Sequence, residues 1–141
     1  MTEIYLVENS ASFKLFFDDF NNLITKKIQN LMERGILMPS WSIHLAIAKE
    51  VNKVLNLDAD LFYYGNLIPD VDRGTLISRD DAHYYNKNLA FPNCPKEYMI
   101  DLEAFLNDYK EQLTNPLILG YYCHLLVDTF YDNEIYSKKW V

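Results

Sequence analysis

Apolar residues recur at helical spacing along most of this chain, and the first such stripe covers residues 12–34. It predicts an amphipathic helix that begins near Ser10 or Ser12 and ends before Gly35. We favour packing of this helix on the rest of the domain over a partner-binding or membrane-surface role. The stripe consists of Phe13, Phe16, Phe17, Phe20, Ile24, Ile28 and Leu31.

A second predicted helix begins near Ser40, directly after a proline, in the segment SWSIHLAIAKEVNKVLN. Its apolar face carries Ile47 and Val51, and His44 falls on the same face. We therefore expect the imidazole of His44 to point into the protein.

Three more helices are predicted further along the chain. The segment DADLFYYGNLI predicts a short helix that is capped by Asp58 and stopped by Pro69. Apolar spacing predicts another helix over 97–113, and a last one over about 116–132 with Asn115 as its cap.

The segment between the third and fourth predicted helices is rich in turn residues, with PDVDRG, SRDDAHYYNK and FPNCP in succession. No strand-like alternation persists in it or elsewhere in the sequence. The whole pattern predicts an all-α fold: a bundle of about four to five helices with one long functional loop at about residues 69–95.

Composition and charge narrow the class of protein. Half of the 141 residues are hydrophobic, which favours a folded domain over disorder. The formal net charge of −7 argues against a surface that coats nucleic acid. We find no apolar run long enough for a transmembrane segment and no secretory signal, so we expect a cytoplasmic location. Cys94 and Cys123 are expected as thiols, with a bridge between them as the alternative.

The last predicted helix carries a polar pair inside an apolar run, GYYCHLLVDTFY. His124 and Asp128 are four residues apart, so they lie on one face of the helix, one turn from each other. An imidazole nitrogen and a carboxylate oxygen are both zinc ligands. A core histidine hydrogen-bonded to an aspartate explains the pair equally well.

Three other polar residues have ordinary interpretations when each is taken alone. His44 fits a satisfied core histidine, Asp70 a turn or cap aspartate, and His83 an exposed loop histidine. One hypothesis explains all three together with the helical pair: the inward-pointing residues converge on a metal site.

Four segments, MPSWSIHLAIA, FYYGNLIPDV, AHYY and GYYCHLLVD, resemble the zinc-dependent phospholipase C family in order and spacing, over about residues 38–132. That family is related to zinc-dependent single-strand nucleases and has an all-α fold with up to three zinc ions. The resemblance implies an N-terminal amphipathic helical extension at residues 1–37. It also implies a phospholipase C-like domain at 38–141, which we expect to be truncated at its C-terminal end.

Carried over to this sequence, the resemblance implies that Asp70, His83, His124 and Asp128 bind one zinc ion. Asp128 matches the carboxylate that bridges to a second zinc, and His44 matches an imidazole ligand of that second ion. Asp70 is in addition the candidate to take a proton from the attacking water, which makes it the expected catalytic residue.

The sequence departs from the family at two places. Trp41 is internal, so it has no free amine to offer a metal, and we favour a core or pocket-lining role for it. After Asp128 the family carries another histidine and a later His-x-x-x-Glu, where this chain has TFYDNEIYSKKWV. Asp132 and Glu134 are interpreted as solvated acids rather than replacement ligands. One or two zinc ions are therefore supported, and a third is not.

The expected function is that of a zinc-dependent phosphodiester hydrolase, in which metal-activated water attacks phosphorus in a phosphodiester such as a phospholipid headgroup. The alternative is a truncated, catalytically weak or inactive zinc-stabilised helical module that acts in binding or structure. A metal count together with an activity assay separates the two.

Overall fold

A computed structural model describes residues 11–34, 40–71, 74–90 and 98–133. Six α-helices lie in these ranges, together with one two-stranded antiparallel sheet and a short 3-10 turn at Lys110–Gln112, so the predicted all-α class is confirmed. The helices are α1 (Ala11–Glu33), α2 (Trp41–Leu55), α3 (Ala59–Val71), α4 (Arg79–Ala82), α5 (Leu102–Tyr109) and α6 (Pro116–Tyr131), and the strands are β1 (Tyr85–Ala90) and β2 (Tyr98–Ile100).

Helices α2 and α3 are joined by a tight turn whose residues are held locally. Asn56 takes the left-handed conformation with φ 53°, which ends α2. The side chain of Asn52 accepts a hydrogen bond from the backbone N–H of Leu57 at 2.8 Å. Asp58 then caps α3, as predicted, by accepting from the N–H of Leu61 at 3.1 Å.

Helices α3 and α6 cross in close contact, and two glycines allow it. A Cβ placed on Gly65 would lie 2.1 Å from the carbonyl oxygen of Leu117, and one on Gly120 would lie 2.3 Å from that of Phe62. The two backbones therefore touch, which no larger residue would permit. This contact brings the last turns of α3 beside the middle of α6.

Helix α1 contributes to the core through Phe20, Ile24 and Ile28, which are at most 1% exposed. Phe20 contacts Tyr122 of α6, with their ring centroids 6.0 Å apart. The side chains of the more N-terminal phenylalanines of the stripe lie outside the described residues. The division into 1–37 and 38–141 stays a prediction.

The prediction of one long loop at about 69–95 is wrong in two respects. Pro69 does not stop α3, which continues to Val71, because a proline in the last turn removes a single helical hydrogen bond. The segment also contains α4 and strand β1, whose polar sequence YNKNLA shows no alternation. Strand β1 pairs with β2, so Tyr85 lies opposite Ile100.

The predicted helix over 97–113 begins later than expected. Residues 98–100 form β2, and Asp101 caps α5 by accepting from the N–H of Ala104 at 3.0 Å. By contrast, α6 follows its prediction closely, with Pro116 in its first turn and Asn115 accepting from the N–H of Leu117.

Candidate metal centre

Five polar side chains converge where α2, α3, α6 and the residue after α4 meet. The three imidazoles are at most 1% exposed, the carboxylate on α6 is 8% exposed, and the carboxylate on α3 is partly buried. These are the residues that the sequence singled out: His44 near the start of α2, Asp70 in the last turn of α3, His83 after α4, and His124 and Asp128 one turn apart on α6.

Four of these residues surround one point. The Nε2 atoms of His83 and His124 lie 3.3 Å apart. His83 Nε2 is 2.9 Å from Asp70 Oδ1 and 3.7 Å from Asp128 Oδ2. His124 Nε2 is 3.7 Å from Asp70 Oδ2 and 3.1 Å from Asp128 Oδ2. Ligand atoms about 2.0–2.1 Å from a tetrahedral zinc ion would be about 3.4 Å from one another, which is in the middle of this range.

The hydrogen bonds of the two imidazoles determine which ring nitrogens can bind a cation. His83 Nδ1 is 2.9 Å from the carbonyl oxygen of Arg79, and His124 Nδ1 is 2.6 Å from that of Asn66. A carbonyl oxygen only accepts, so both Nδ1 atoms carry the hydrogen. Metal-bound histidines are commonly oriented in this way.

In the neutral imidazoles, both Nε2 lone pairs therefore point at each other and at two carboxylates. That arrangement is repulsive unless protons or a cation lie between these atoms. Nitrogen and oxygen donors of this kind suit zinc. His83, His124 and Asp128 form one buried group that could hold an ion, and His44, Asp70 and His124 form a second, partly buried one. The residues present therefore fit a zinc ion.

Asp128 also faces a second position through its other oxygen. Asp128 Oδ1 lies 3.1 Å from His44 Nε2, and the His44 ring stacks on that of His124 with centroids 3.7 Å apart. In contrast to the other two histidines, His44 has no hydrogen-bond partner for its buried Nδ1 in the described part of the chain. The second position thus has fewer supporting contacts than the first.

Burial and close contacts adjust the protonation of these groups in favour of metal binding. Burial raises the pKa of Asp128, but contacts with His124 and His44 lower it more, to well below its usual range. Burial likewise raises the pKa of Asp70, and His83, His124 and Arg79 lower it to below its usual value. Burial lowers the pKa of His44. Both carboxylates are thus charged and His44 is neutral at pH 7, which are the forms that bind metal.

Arg79 is a site residue that the sequence interpretation missed. Its Nη1 donates to Asp70 Oδ1 at 3.0 Å, and its carbonyl accepts from His83 Nδ1. Its side chain is 62% exposed, so the guanidinium lies where the site opens to solvent. The only sequence signal for this role is the spacing of four residues to His83.

The backbone after His83 turns sharply and is held in place by side chains. Tyr84 adopts the left-handed region with φ 56°, which is unusual for a residue with a side chain. Its hydroxyl donates to Asp108 Oδ2 at 2.8 Å, and its carbonyl accepts from the N–H of Asp101 at 2.8 Å. The hydroxyl of Tyr121 donates to the carbonyl of Ala82, just before His83. These contacts fix the approach of His83 to the site.

Further aromatic residues and Cys123 differ in how close they lie to these five side chains. Trp41 is expected in the core or lining a pocket; it is 43% exposed, so the core position is wrong, and the pocket-lining role stays a prediction. Tyr85 stacks on His83 with ring centroids 5.7 Å apart, whereas Tyr64 is 55% exposed. Cys123 is buried in the core, and burial raises the pKa of its thiol. Cys94 and Glu134 lie outside the described residues.

The helical fold and the buried histidine–aspartate cluster define a class of helical proteins with a candidate metal centre. A family model described as zinc dependent phospholipase C matches residues 43–140, which is more than half of the chain. The chain belongs to this family. No curated protein matches it, and no solved structure does either. Within the described residues, no helix is both long and apolar enough to span a bilayer.

Proposed function

We propose that this protein is a zinc-dependent phosphodiester hydrolase that acts on phospholipid headgroups. The observation that carries the proposal is the convergence of the His83 and His124 Nε2 atoms on Asp70 and Asp128, with both Nδ1 atoms tied to carbonyls. Membership of a zinc-dependent phospholipase C family supports the metal and the substrate class.

In this proposal Asp70, His83, His124 and Asp128 hold one zinc ion, and His44 with Asp128 offers a place for a second. Zinc bound here supplies Lewis acidity at a phosphoryl oxygen and makes hydroxide available near neutral pH.

Asp70 has the position of a general base. It lies beside the exposed Arg79, and its Oδ1 is 2.9 Å from His83 Nε2, so a water held at the same point would be within its reach. Asp70 would accept the proton of the water that attacks phosphorus. Arg79, which contacts Asp70 through one nitrogen, has further N–H donors for the phosphoryl oxygens.

A zinc-stabilised helical module without significant catalysis is the second candidate. The buried Nδ1 of His44, which lacks a partner in the described part of the chain, favours it. If only the first position holds zinc tightly, hydrolysis that requires two ions would be slow.

Zinc content and hydrolysis measured on the same preparation test the proposal. We expect at least one zinc per chain and turnover of a soluble chromogenic phosphocholine ester, both lost in His124→Ala. At least one zinc per chain without turnover would support the structural module. A folded protein that binds no zinc after dialysis against it would contradict both candidates.

A further inference from the structure

Four large apolar side chains are exposed at positions close in sequence to His44, Asp70 and Arg79. Leu76 is 89% exposed, Ile77 56%, Val71 45% and Trp41 43%. We call these four residues the apolar rim. An apolar surface that faces water is unfavourable by itself, and its grouping beside a functional site indicates an interaction surface.

The contact between Asp70 and Arg79 holds both ends of the segment that carries Val71, Leu76 and Ile77 at the site. The Arg79 guanidinium donates to Asp70 Oδ1 at 3.0 Å. Arg79 is nine residues after Asp70, so the segment between them begins and ends beside the same carboxylate. Val71 adjoins Asp70, and Ile77 is two residues from Arg79, which is at most about 7 Å of backbone. Trp41 precedes His44 by three residues, a rise of about 4.5 Å along α2.

Charged residues near the apolar rim determine which kind of surface can bind there. Asp80 and Asp81 follow Arg79 on α4 and are exposed, and the whole chain has a formal net charge of −7. An anionic surface would repel this face, whereas a neutral one would not. Arg79, 62% exposed beside Asp70, offers a cation for a phosphate group at the same place.

We propose that the apolar rim docks the protein onto a zwitterionic phospholipid bilayer, with Leu76 and Ile77 inserted among the acyl chains and the site facing the headgroups. The proposal rests on the proposed function, because a substrate that lies in a bilayer must be reached at its surface. Insertion of two exposed aliphatic side chains would remove their surface from water without disturbing the core.

Sedimentation of the full-length, zinc-loaded protein with phosphatidylcholine vesicles tests the docking surface. The double variant Leu76→Ser/Ile77→Ser should partition at least about tenfold more weakly than the parent. The matched control is Val54→Ser/Leu61→Ser. Val54 is 63% exposed near the C-terminal end of α2, and Leu61 is 43% exposed near the N-terminal end of α3. Each lies at the other end of its helix from the site residue on that helix, His44 or Asp70. The control should bind as the parent does, and phosphatidylglycerol vesicles should bind the parent more weakly.

A soluble phosphocholine ester separates this proposal from the proposed function. The Leu76→Ser/Ile77→Ser variant should hydrolyse the soluble ester at the parent rate and keep its zinc. Equal vesicle binding by both double variants, or stronger binding to phosphatidylglycerol, would overturn the docking surface and leave the hydrolase proposal standing. Rim-dependent vesicle binding by a protein that hydrolyses no ester would support the docking surface and contradict the proposed function.

Discussion

The Nε2 atoms of His83 and His124 lie 3.3 Å apart in the protein interior, and both Nδ1 atoms donate hydrogen bonds to backbone carbonyls. Two imidazoles fixed in this way direct their lone pairs at each other. Asp70 and Asp128 add two carboxylates to the same point. A cation there would relieve the repulsion, so metal content and stability should be linked in this protein.

Removal of zinc should therefore lower the stability of the folded chain. A ligand that binds only the folded state at one hundred times its Kd contributes about 2.7 kcal/mol to the free energy of unfolding. Denaturation followed with and without a chelator would measure the difference. His124→Ala should abolish the difference, and an unchanged chelator effect in this variant would show that zinc binds elsewhere.

Replacement of the proposed base should reduce hydrolysis far more than it reduces folding. Asp70→Asn removes the proton acceptor and also changes a proposed zinc ligand, so zinc content is measured beside the rate; loss of general base catalysis alone typically costs about 100- to 10,000-fold in rate. Asp60→Asn is the matched control, because Asp60 lies in the first turn of the same helix, at its other end. The soluble phosphocholine ester is the substrate for both variants. Equal rates for the two would exclude Asp70 as the base.

Contact between the backbones of α3 and α6 should be essential for the site. In Gly120→Ala the new Cβ would lie 2.3 Å from the carbonyl oxygen of Phe62, so the helices must separate. We expect a loss of about 3 kcal/mol or more in the free energy of unfolding and weaker zinc binding, because the bond from His124 to the carbonyl of Asn66 crosses this contact.

Gly74→Ala is the control for this prediction. Gly74 has φ +83° and nothing within 4 Å of an added Cβ, so only backbone strain of about 1 kcal/mol is expected. Zinc binding should be unchanged in this variant. If both alanine variants unfolded at the same denaturant concentration, close helix contact would not explain the role of Gly120.

Burial of α1 side chains makes a further prediction about stability. Ile28 is fully buried, so Ile28→Ala should cost about 2–5 kcal/mol, whereas Val54→Ala, at a position 63% exposed, should cost less than about 0.5 kcal/mol. The sequence-based division at residue 37 makes the competing prediction that a chain starting at Met38 folds and binds zinc. Chemical denaturation of Ile28→Ala, Val54→Ala and the chain starting at Met38 distinguishes the two predictions.

Much of this fold follows from local sequence rules, because the relevant signals are short. The spacing of His124 and Asp128 places them on one face of α6, and Asn115 followed by a proline marks where that helix begins. The hairpin was not predicted, because strand β1 has a polar sequence without alternation. Its pairing with β2 depends on tertiary contacts that no local pattern contains.

The backbone contacts of the candidate site could not be predicted from the sequence, for a different reason. The carbonyls of Asn66 and Arg79 orient His124 and His83, and any residue type has a carbonyl. Only the close crossing of α3 on α6 puts the first of them within 2.6 Å of an imidazole. The side chains of a site can thus be proposed from sequence, whereas the groups that orient them become visible only in the fold.

The last prediction concerns the guanidinium of Arg79. Substitution leaves its carbonyl, and therefore the bond to His83, in place, so Arg79→Met should retain zinc. The variant loses the exposed N–H donors beside Asp70. Charge-assisted hydrogen bonds contribute about 1.5–3 kcal/mol, so the KM for the soluble phosphocholine ester should rise about ten- to hundredfold. Inhibition by inorganic phosphate should weaken to a similar extent.

Arg79→Lys keeps the charge but not the planar fork, so its KM should lie between those of the parent and Arg79→Met. Lys53→Met is the control, since Lys53 is an exposed cation that pairs with Glu50 on α2. A loss of zinc in Arg79→Met would show that the guanidinium maintains the ligand geometry through Asp70. An unchanged KM together with unchanged phosphate inhibition would mean that the phosphate group binds without this side chain.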